Sequence, residues 1–511
     1  MSFPPLIRAL LDPSVYDHPT WSICCRETHI SWIILTGLYA YKLKKPVDFG
    51  FLDFSTLDKR RFYCQEELRL NRRLAPQLYL EVVAITGTPT SPSLKGKGPI
   101  LEYAVKMRQF RQEDLLAERA ARGELEEAHL SSLAELIARF HQSAAQARPQ
   151  DPYGDPDLIH AAARQNFAQI DRDLTVLNAL QAWSESEFEK RREDMAERKR
   201  QGYIRECHGD LHLGNIVLWQ GQPLPFDCIE FNPALRWIDL CSEIAFTVMD
   251  LCARGFKALG FGFLNDYLSL TGDYASVKLL SYYLVYRAMV RAKIAHLSWR
   301  QHPELPSLED FERYLKLAGD FSRPRPVFLC ITHGFSGSGK SFISRRLAAQ
   351  LDALHLRSDV ERKRLAGLAA VAPSKSPLGG GIYRQDFTQR TYQKLLEDAY
   401  TILTSGYPAI VDATFLTQAW RLKFKDLAQS LKLPFLILNF SAPEEVLRQR
   451  ILKRRQERRD PSEADLKVLE YQLCHHEPLD SSEQALTLTL DTTAEDGERM
   501  LRALQVRLGL K

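Results

Sequence analysis

Gly334-Phe335-Ser336-Gly337-Ser338-Gly339-Lys340-Ser341 follows the pattern GxxxxGK(S/T). Glycines at these positions let successive backbone N–H groups turn inward around a phosphate, and a helix beginning at the lysine adds its partial positive charge. Lys340 is expected to reach the β- and γ-phosphates of a nucleotide, and the Ser341 hydroxyl to hold Mg²⁺. Downstream, Arg357-Ser358-Asp359-Val360-Glu361-Arg362 follows a short apolar run that should deliver Asp359 to the carboxyl edge of a sheet, where ligands bind. A carboxylate there can accept a proton from an attacking hydroxyl; as a helix cap it would do no chemistry. Asp412 ends the apolar run 409–411, a Walker-B-like position for Mg²⁺ or its water. Arg450, Arg454 and Arg458 recur at i, i+4, i+8 and so share one helical face. Planar, bidentate and always charged, they suit a lid over a transferring phosphoryl. A solvated basic face or a nucleic-acid groove remains open, though 447–459 holds no aromatic residue to stack on bases.

A second set lies at 208–227. His208-Gly209-Asp210-Leu211-His212-Leu213-Gly214-Asn215 is followed by an apolar run, a turn at 221–223, and Pro225-Phe226-Asp227. Asp210 and Asn215 stand five apart on one loop, the separation of catalytic Asp and metal-binding Asn in the kinase H-x-D-x-x-x-x-N signature. A hairpin would fold Asp227 back beside Asn215. Two oxygen ligands would then converge on Mg²⁺ while Asp210 faces an acceptor hydroxyl. Polar residues within an otherwise apolar hairpin are costly unless they bind something. Upstream, Tyr39-Ala40-Tyr41-Lys42-Leu43-Lys44 reads as a strand whose alternation puts Lys42 and Lys44 on one face, so either could meet the α- and β-phosphates. Glu66 and Glu67 on the next helix are candidate partners, with Glu67 preferred. Glu230 and Asn232 are either further ligands or loop anchors.

These side chains need elements to position them. Residues 30–35, 39–45, 78–85 and 100–108 read as strands, and 58–74 as a charged helix ended by Ala75-Pro76. Helical spacing covers 130–147, 160–200 and most of 236–320, with the charge run 187–199 as a solvated face. A proline-punctuated connector, containing His302-Pro303, Pro306 and Ser322-Arg323-Pro324-Arg325-Pro326, precedes a change of pattern. Strands at 327–332, 354–356, 409–411, 435–440 and 486–490 then alternate with helices, as in a parallel sheet covered on both faces. The expected organisation is an α+β domain at 1–322 and an α/β domain at 323–511.

A chain of 511 residues exceeds one compact core. Its apolar content of 45% and charged content of 26% are ordinary for globular protein, and a formal charge of +4 predicts no general affinity for nucleic acid or membranes. Nine scattered cysteines without a CxxC pair fit reduced thiols better than a disulfide or zinc framework. No signal-like start and no apolar stretch long enough to span a bilayer is present, so a soluble cytoplasmic protein is expected.

With its P-loop, the Asp-x-x-Arg of Asp359 and Arg362, Asp412-Ala413-Thr414 and the arginine-rich tract, 327–511 resembles the P-loop kinases that include polynucleotide 5′-kinases and zeta-toxin-like sugar-nucleotide kinases. The resemblance implies Asp359 as general base, Arg362 as a holder of substrate phosphate, and Arg450, Arg454 and Arg458 as lid arginines. Residues 25–250 resemble the aminoglycoside-phosphotransferase and choline-kinase branch of the protein-kinase-like fold. His-Gly-Asp stands at 208–210, no Ala-Pro-Glu follows, and Asp239 resembles that branch's structural acid. Two departures stand out: only Gly37 precedes Lys42 in place of a glycine-rich loop, and the metal Asp lies in Phe226-Asp227-Cys228. The whole is similar to bifunctional fusions of an aminoglycoside phosphotransferase with an ATP-binding protein. That similarity implies two Mg·ATP-dependent transferases acting on hydroxyls of small-molecule, sugar or nucleotide acceptors. Three other functions stay open: a nucleotide-binding regulator with a degenerate first half, and, in the second half, a 5′-hydroxyl nucleic-acid kinase or a toxin-like kinase of sugar nucleotides.

Overall fold

Alternation in the strand Tyr39–Lys44 sends Tyr41 and Leu43 to one face of a sheet and Ala40, Lys42 and Lys44 to the other. Tyr41 and Leu43 pack with Ile34, Val83, Ile85 and Ala104 beneath Ile7 of the short helix Pro5–Ala9. On the opposite face Ala40, Val105 and Met107 meet Cys64 of the helix Leu57–Asn71. The lysines therefore lie on the helix-covered face. The computed structural model describes residues 3–510 except 51, 95, 173, 302–306, 375, 378, 458–459 and 494–496. His302, Pro303 and Pro306 of the connector, and Arg458 of the basic tract, lie outside the described residues.

The chain divides into two compact units, Met1–Ala162 with Met195–Asp250, and Ala163–Asp194 with Leu251–Lys511. The first holds a six-stranded antiparallel sheet ordered Cys24–Glu27, Ser31–Leu35, Tyr39–Lys44, Ile100–Arg108, Tyr79–Thr88, Ser91–Leu94. Its two outer strands escape sequence reading because edge strands are half-exposed and lack a clean apolar alternation. The hairpin Ile216–Trp219 and Gln222–Pro225 contributes Val217 and Leu224 to the core under the sheet. A further short strand, Trp237–Asp239, interrupts the stretch expected to be helical and pairs with Ile204–Glu206. The charge run is not wholly solvated either. Arg198 is buried and makes a bidentate pair with Asp239 at 2.8 and 2.9 Å.

The second unit holds a five-stranded parallel sheet ordered Leu354–Arg357, Ala409–Asp412, Leu329–His333, Phe435–Ser441, Thr487–Asp491. Four of its strands are buried along most of their length because both faces are covered, whereas Thr487–Asp491 at the far edge alternates and is half-exposed. Cys330, Leu436, Leu438 and Leu490 pack on one face against Leu347 of the helix Lys340–Gln350 and Leu504 of Gly497–Leu508. The P-loop, Asp412 and Asp359 all follow or end strands at the carboxyl edge.

The compact units do not divide at the connector 322–326. The helices Lys257–Thr271, Val277–Gln301 and Ser307–Ser322 fold with the parallel sheet. The reason lies at the sheet edge, where strand Leu354–Arg357 has no strand beyond it among the described residues. Asn265 Nδ2 donates to the Ala353 carbonyl at 3.0 Å, and Asn265 Oδ1 accepts from the His355 N–H at 2.9 Å. Tyr274 Oη donates to the His355 carbonyl at 3.4 Å. A fragment starting at Arg323 leaves these backbone groups open. It is expected to melt at least about 5 °C below a fragment spanning 251–511, or to aggregate. Calorimetry of both fragments checks this, and equal melting temperatures would refute it.

Candidate active sites

The hairpin turns at Gln220 and Gly221, both at positive φ, as the twist of two-residue hairpins requires. The Phe226 N–H then donates to the Asn215 carbonyl at 2.9 Å, and Asp227 follows at φ +63°, a conformation Asp tolerates better than most non-glycine residues. Asn215 Nδ2 donates to Asp210 Oδ2 at 2.9 Å, so its Oδ1 is the acceptor that remains. Lys42 Nζ lies 2.8 Å from Glu67 Oε1 and 2.5 Å from Asp227 Oδ1. Lys44 Nζ lies 2.7 Å from Glu67 Oε2 and also pairs with Glu230. Glu66 instead binds Arg69 at 2.9 Å, so Glu67 is the lysines' partner. Asn232 anchors its own loop by accepting from the Ala234 N–H at 3.0 Å.

Burial pushes Glu67 toward its neutral form, but Lys42 and Lys44 outweigh it and hold the carboxyl at about 2. Burial also disfavours charge on Lys42, which Asp227 and Glu67 more than restore. The Lys44 side chain is 0% exposed and that of Asp227 43%, so the cluster is sealed at one end and open at the other. Two ammonium groups face three carboxylates, Glu67, Asp227 and Glu230. That surplus of negative charge, with hard oxygen donors on Asn215 and Asp227, fits a Mg²⁺ site.

The loop is held by residues that sequence reasoning passed over. Glu243 and Asp250, legible only as charges interrupting an apolar stretch, lie with Thr247 on one face of the helix Leu240–Ala253. Glu243 accepts from the N–H groups of His208 (2.6 Å) and Gly209 (3.0 Å), Asp250 accepts from Leu213 N–H (2.9 Å), and Thr247 donates to the Leu211 carbonyl (2.8 Å). Burial lowers His208 to about 4, so its ring is neutral near pH 7. Nε2–H then donates to the Phe226 carbonyl at 2.9 Å and Nδ1 accepts from the Asp210 N–H at 3.3 Å. One imidazole thereby ties Asp210 to the residue preceding Asp227.

In the second unit the P-loop glycines have a steric reason. A Cβ on Gly334 (φ +137°) would sit 2.5 Å from the Phe440 carbonyl oxygen, and one on Gly337 (φ +84°) 2.6 Å from that of Leu447. Lys340 Nζ donates to the carbonyls of Gly334 (2.9 Å) and Phe335 (2.7 Å), and burial lowers it to about 8. Burial raises Asp412, opposed by Arg357 and by a hydrogen bond with Ser341, a pair of oxygen donors that fits Mg²⁺. Asp359 lies in the first turn of the helix Ser358–Leu365, whose N-cap is Arg357, and its charge bears on Lys340, Asp412 and Tyr383. Arg362 is buried, donates to the Ile382 carbonyl (2.7 Å) and Thr388 Oγ1 (3.0 Å), and keeps Nε without a partner among the described residues.

On the helix Glu444–Glu457, Leu447 and Ile451 pack against Leu469, which turns Arg450 and Arg454 toward the P-loop side. Arg450 binds Thr492 Oγ1 and its carbonyl, both at 2.8 Å, and its Nη1 lies 3.5 Å from the position a Cβ on Gly339 would take. Arg454 donates to the Ala464 carbonyl at 2.8 Å, and its charge opposes protonation of Lys340. Sequence reasoning missed Gln472 and His476. The first accepts from the Ser336 N–H at 2.9 Å, and the second meets the Phe335 ring edge to face at 5.0 Å. No single-sequence signal marks either one.

Residues 59–280 match the phosphotransferase enzyme family, and residues 329–479 match the AAA domain. Uncharacterized proteins of Mycobacterium bovis and Mycobacterium tuberculosis are each 32% identical over 447 residues, covering 86% of this chain and 87% of theirs. The chain belongs to their family. It is a fusion of a phosphotransferase domain with a P-loop kinase domain. Similar solved structures include a choline/ethanolamine kinase family protein from Mesorhizobium loti, 11% identical over 67% of this chain and 97% of that one, with a TM-score of 0.39. A gluconokinase from Sinorhizobium meliloti is 21% identical over 37% of this chain and 94% of that one, with a TM-score of 0.26. The phosphotransferase match runs past Asp250, so its last part folds with the P-loop unit.

The two lysines should separate on substitution. Lys44→Met leaves Glu230 without its ammonium and Glu67 with Lys42 alone in the interior, and is expected to cost about 3–5 kcal/mol of stability. Lys42→Met should lose nucleotide binding at the first site with a far smaller change in unfolding midpoint. Denaturant melts and nucleotide titrations in a Lys340→Ala background check both, and equal stability losses would contradict this division.

A further expectation concerns protons at the second site. Lys340 is lowered to about 8, so above that pH the free protein holds it neutral, while a bound phosphate favours the ammonium. Nucleotide binding above pH 8 should take up a proton and weaken as pH rises. Calorimetric titrations in buffers of different ionisation enthalpy measure the uptake, and Lys340→Arg should abolish it.

Proposed function

We propose that each unit carries an ATP-dependent phosphotransferase site, moving the γ-phosphoryl of Mg·ATP to an alcohol of a small-molecule, sugar or nucleotide acceptor. The observation that carries this reading is the pairing of Lys42 with Glu67 and Asp227 and of Asn215 with Asp210, the two groups tied by the Phe226 N–H on the Asn215 carbonyl, each residue apt for one task in phosphoryl transfer. Mg²⁺, when bound, screens the phosphate charge and orients the γ-phosphoryl for in-line attack. Asn215 and Asp227 would hold it at the first site, and Ser341 and Asp412 at the second.

At the first site Lys42 exchanges Asp227 for the α- and β-phosphates while Glu67 keeps its ammonium in place. Asp210 faces the acceptor. As the acceptor oxygen bonds to the γ-phosphorus and the bond to the β-bridging oxygen breaks, the hydroxyl proton passes to the Asp210 carboxylate. At the second site the backbone N–H groups of Gly334, Phe335, Ser336, Gly337, Ser338 and Gly339, with Lys340, cradle the phosphates. Asp359 takes the acceptor proton, Arg362 holds an acceptor phosphate, and Arg450 and Arg454 (with Arg458 beyond the described residues) balance charge on the transferring group. Arg450 and Arg454 must first release Thr492 and Ala464. Nine free thiols and the absence, among described residues, of a helix able to cross a membrane support a cytoplasmic setting.

A second reading for the P-loop site takes a 5′-hydroxyl nucleic-acid end as acceptor. A groove of about 670 Å³ lined by Arg390, Lys394, Lys423 and Trp420, with Leu365 of the Asp359 helix at its wall, favours a phosphate-bearing partner. Labelled transfer to 5′-hydroxyl oligonucleotides that falls in Lys423→Glu would select this reading over a free metabolite.

Transfer from γ-labelled ATP into a metabolite extract tests the proposal. Asp210→Asn should lower first-site transfer by roughly 10²–10⁴ with nucleotide affinity retained, and Asp359→Asn should do the same at the second site. Rapid hydrolysis without an acceptor, indifferent to Asp359→Asn, would instead make the second unit an ATPase.

A further inference from the structure

The helix Lys257–Thr271 lies within the span that matches the phosphotransferase family, yet it folds with the P-loop unit. Its adjacent residues Asn265 and Asp266 reach two different parts of the second site. The Asn265 amide gives one donor and one acceptor to the outer edge of Leu354–Arg357, as the backbone of a neighbouring strand would. Asp266 binds Arg345 of the P-loop helix through both oxygens, at 3.1 and 2.7 Å. One turn on, the Ser269 carbonyl accepts from Arg364 of the Asp359 helix. A single helix therefore spans the phosphate-binding helix, the edge strand and the candidate acceptor helix.

The strand it seals is four residues long and pairs on its other side with Ala409–Asp412, Arg357 opposite Asp412. Asp359 follows that strand directly. His355, whose N–H and carbonyl take the contacts from Asn265 and Tyr274, is itself buried. Its Nε2 lies 2.9 Å from Ser344 Oγ of the P-loop helix and 3.9 Å from Asp412 Oδ2. A short edge strand with one free side frays and slips readily, and slippage here would move Asp359 relative to Ser341 and remove Arg357 and His355 from beside Asp412.

Resting on the Mg·ATP reading of the second site, we infer that Asn265 is a positioning residue for that site. By closing the outer edge of Leu354–Arg357 it keeps Asp412 and Ser341 at the spacing a divalent cation needs. Asn265 touches neither nucleotide nor metal.

The test uses the full chain with Lys42→Met to silence the first site, and reads fluorescent N-methylanthraniloyl-ADP as Mg²⁺ is titrated. Asn265→Ala should raise the Mg²⁺ concentration for half-maximal binding by about tenfold, the scale on which groups behind metal ligands act, and leave metal-free binding unchanged. Amide exchange at 354–357 should quicken in parallel. Tyr274→Phe removes one hydroxyl from the same edge and should shift both readings the same way by a smaller factor, which covers the case in which Asn265→Ala does not fold. Unaltered Mg²⁺ demand in these variants, with only a lower melting temperature, overturns the positioning role. An Asp412→Asn control that leaves Mg²⁺ demand unaltered sinks the site reading and this inference with it. Asp412→Asn raising that demand while Asn265→Ala and Tyr274→Phe do not sinks the inference alone.

Discussion

Glu67 keeps a negative charge away from water because Lys42 and Lys44 each place an ammonium on one of its oxygens. A carboxylate buried without such partners would take up a proton, while the ammoniums are held also by Asp227 and Glu230. Neutralising one buried charge thus brings together a strand, the helix Leu57–Asn71 and the segment after a hairpin, which are remote in sequence. The division of labour follows from solvent. Lys44 and Glu230 are sealed from water, whereas Asp227, paired with Lys42, is half-exposed at the open end, which is why the proposed function gives the nucleotide to Lys42.

Both sites are loops at the ends of regular elements, and such loops carry backbone groups that no ladder satisfies. The protein answers with polar side chains from apolar helices. Glu243, Thr247 and Asp250 serve the Asp210 loop, Gln472 serves the P-loop, and Asn265 serves the edge strand. None of them belongs to a recognisable motif. Their cost in helix burial is offset by hydrogen bonds to backbone that would otherwise be orphaned.

Much of the frame was legible in the residues. The parallel sheet showed because doubly covered strands are apolar throughout, and the P-loop because only glycine fits beside Phe440 and Leu447. The hairpin that returns Asp227 to Asn215 was legible from its turn residues. The edge strands Cys24–Glu27 and Ser91–Leu94 were not, since half-exposed strands carry no strict alternation. Nor was the division into units. Prolines at 322–326 mark a change in local pattern, but compactness is set by what packs together, and Asn265 and Tyr274 put the preceding helices with the parallel sheet.

Local chemistry alone therefore determined which residue types could cradle phosphate, accept a proton or bind a cation, because spacing along one turn or strand decides that. It also showed that Lys42 and Lys44 share a face. Only the tertiary structure separates their surroundings, since the two differ in nothing but what lies above each. Lys44 has Glu230 and no solvent, and Lys42 has Asp227 at an open edge. The same holds for Glu230, whose residue type suits either a ligand or an anchor and whose partner in the fold is Lys44. Burial and long-range pairing are properties of the folded chain, and no window of sequence contains them.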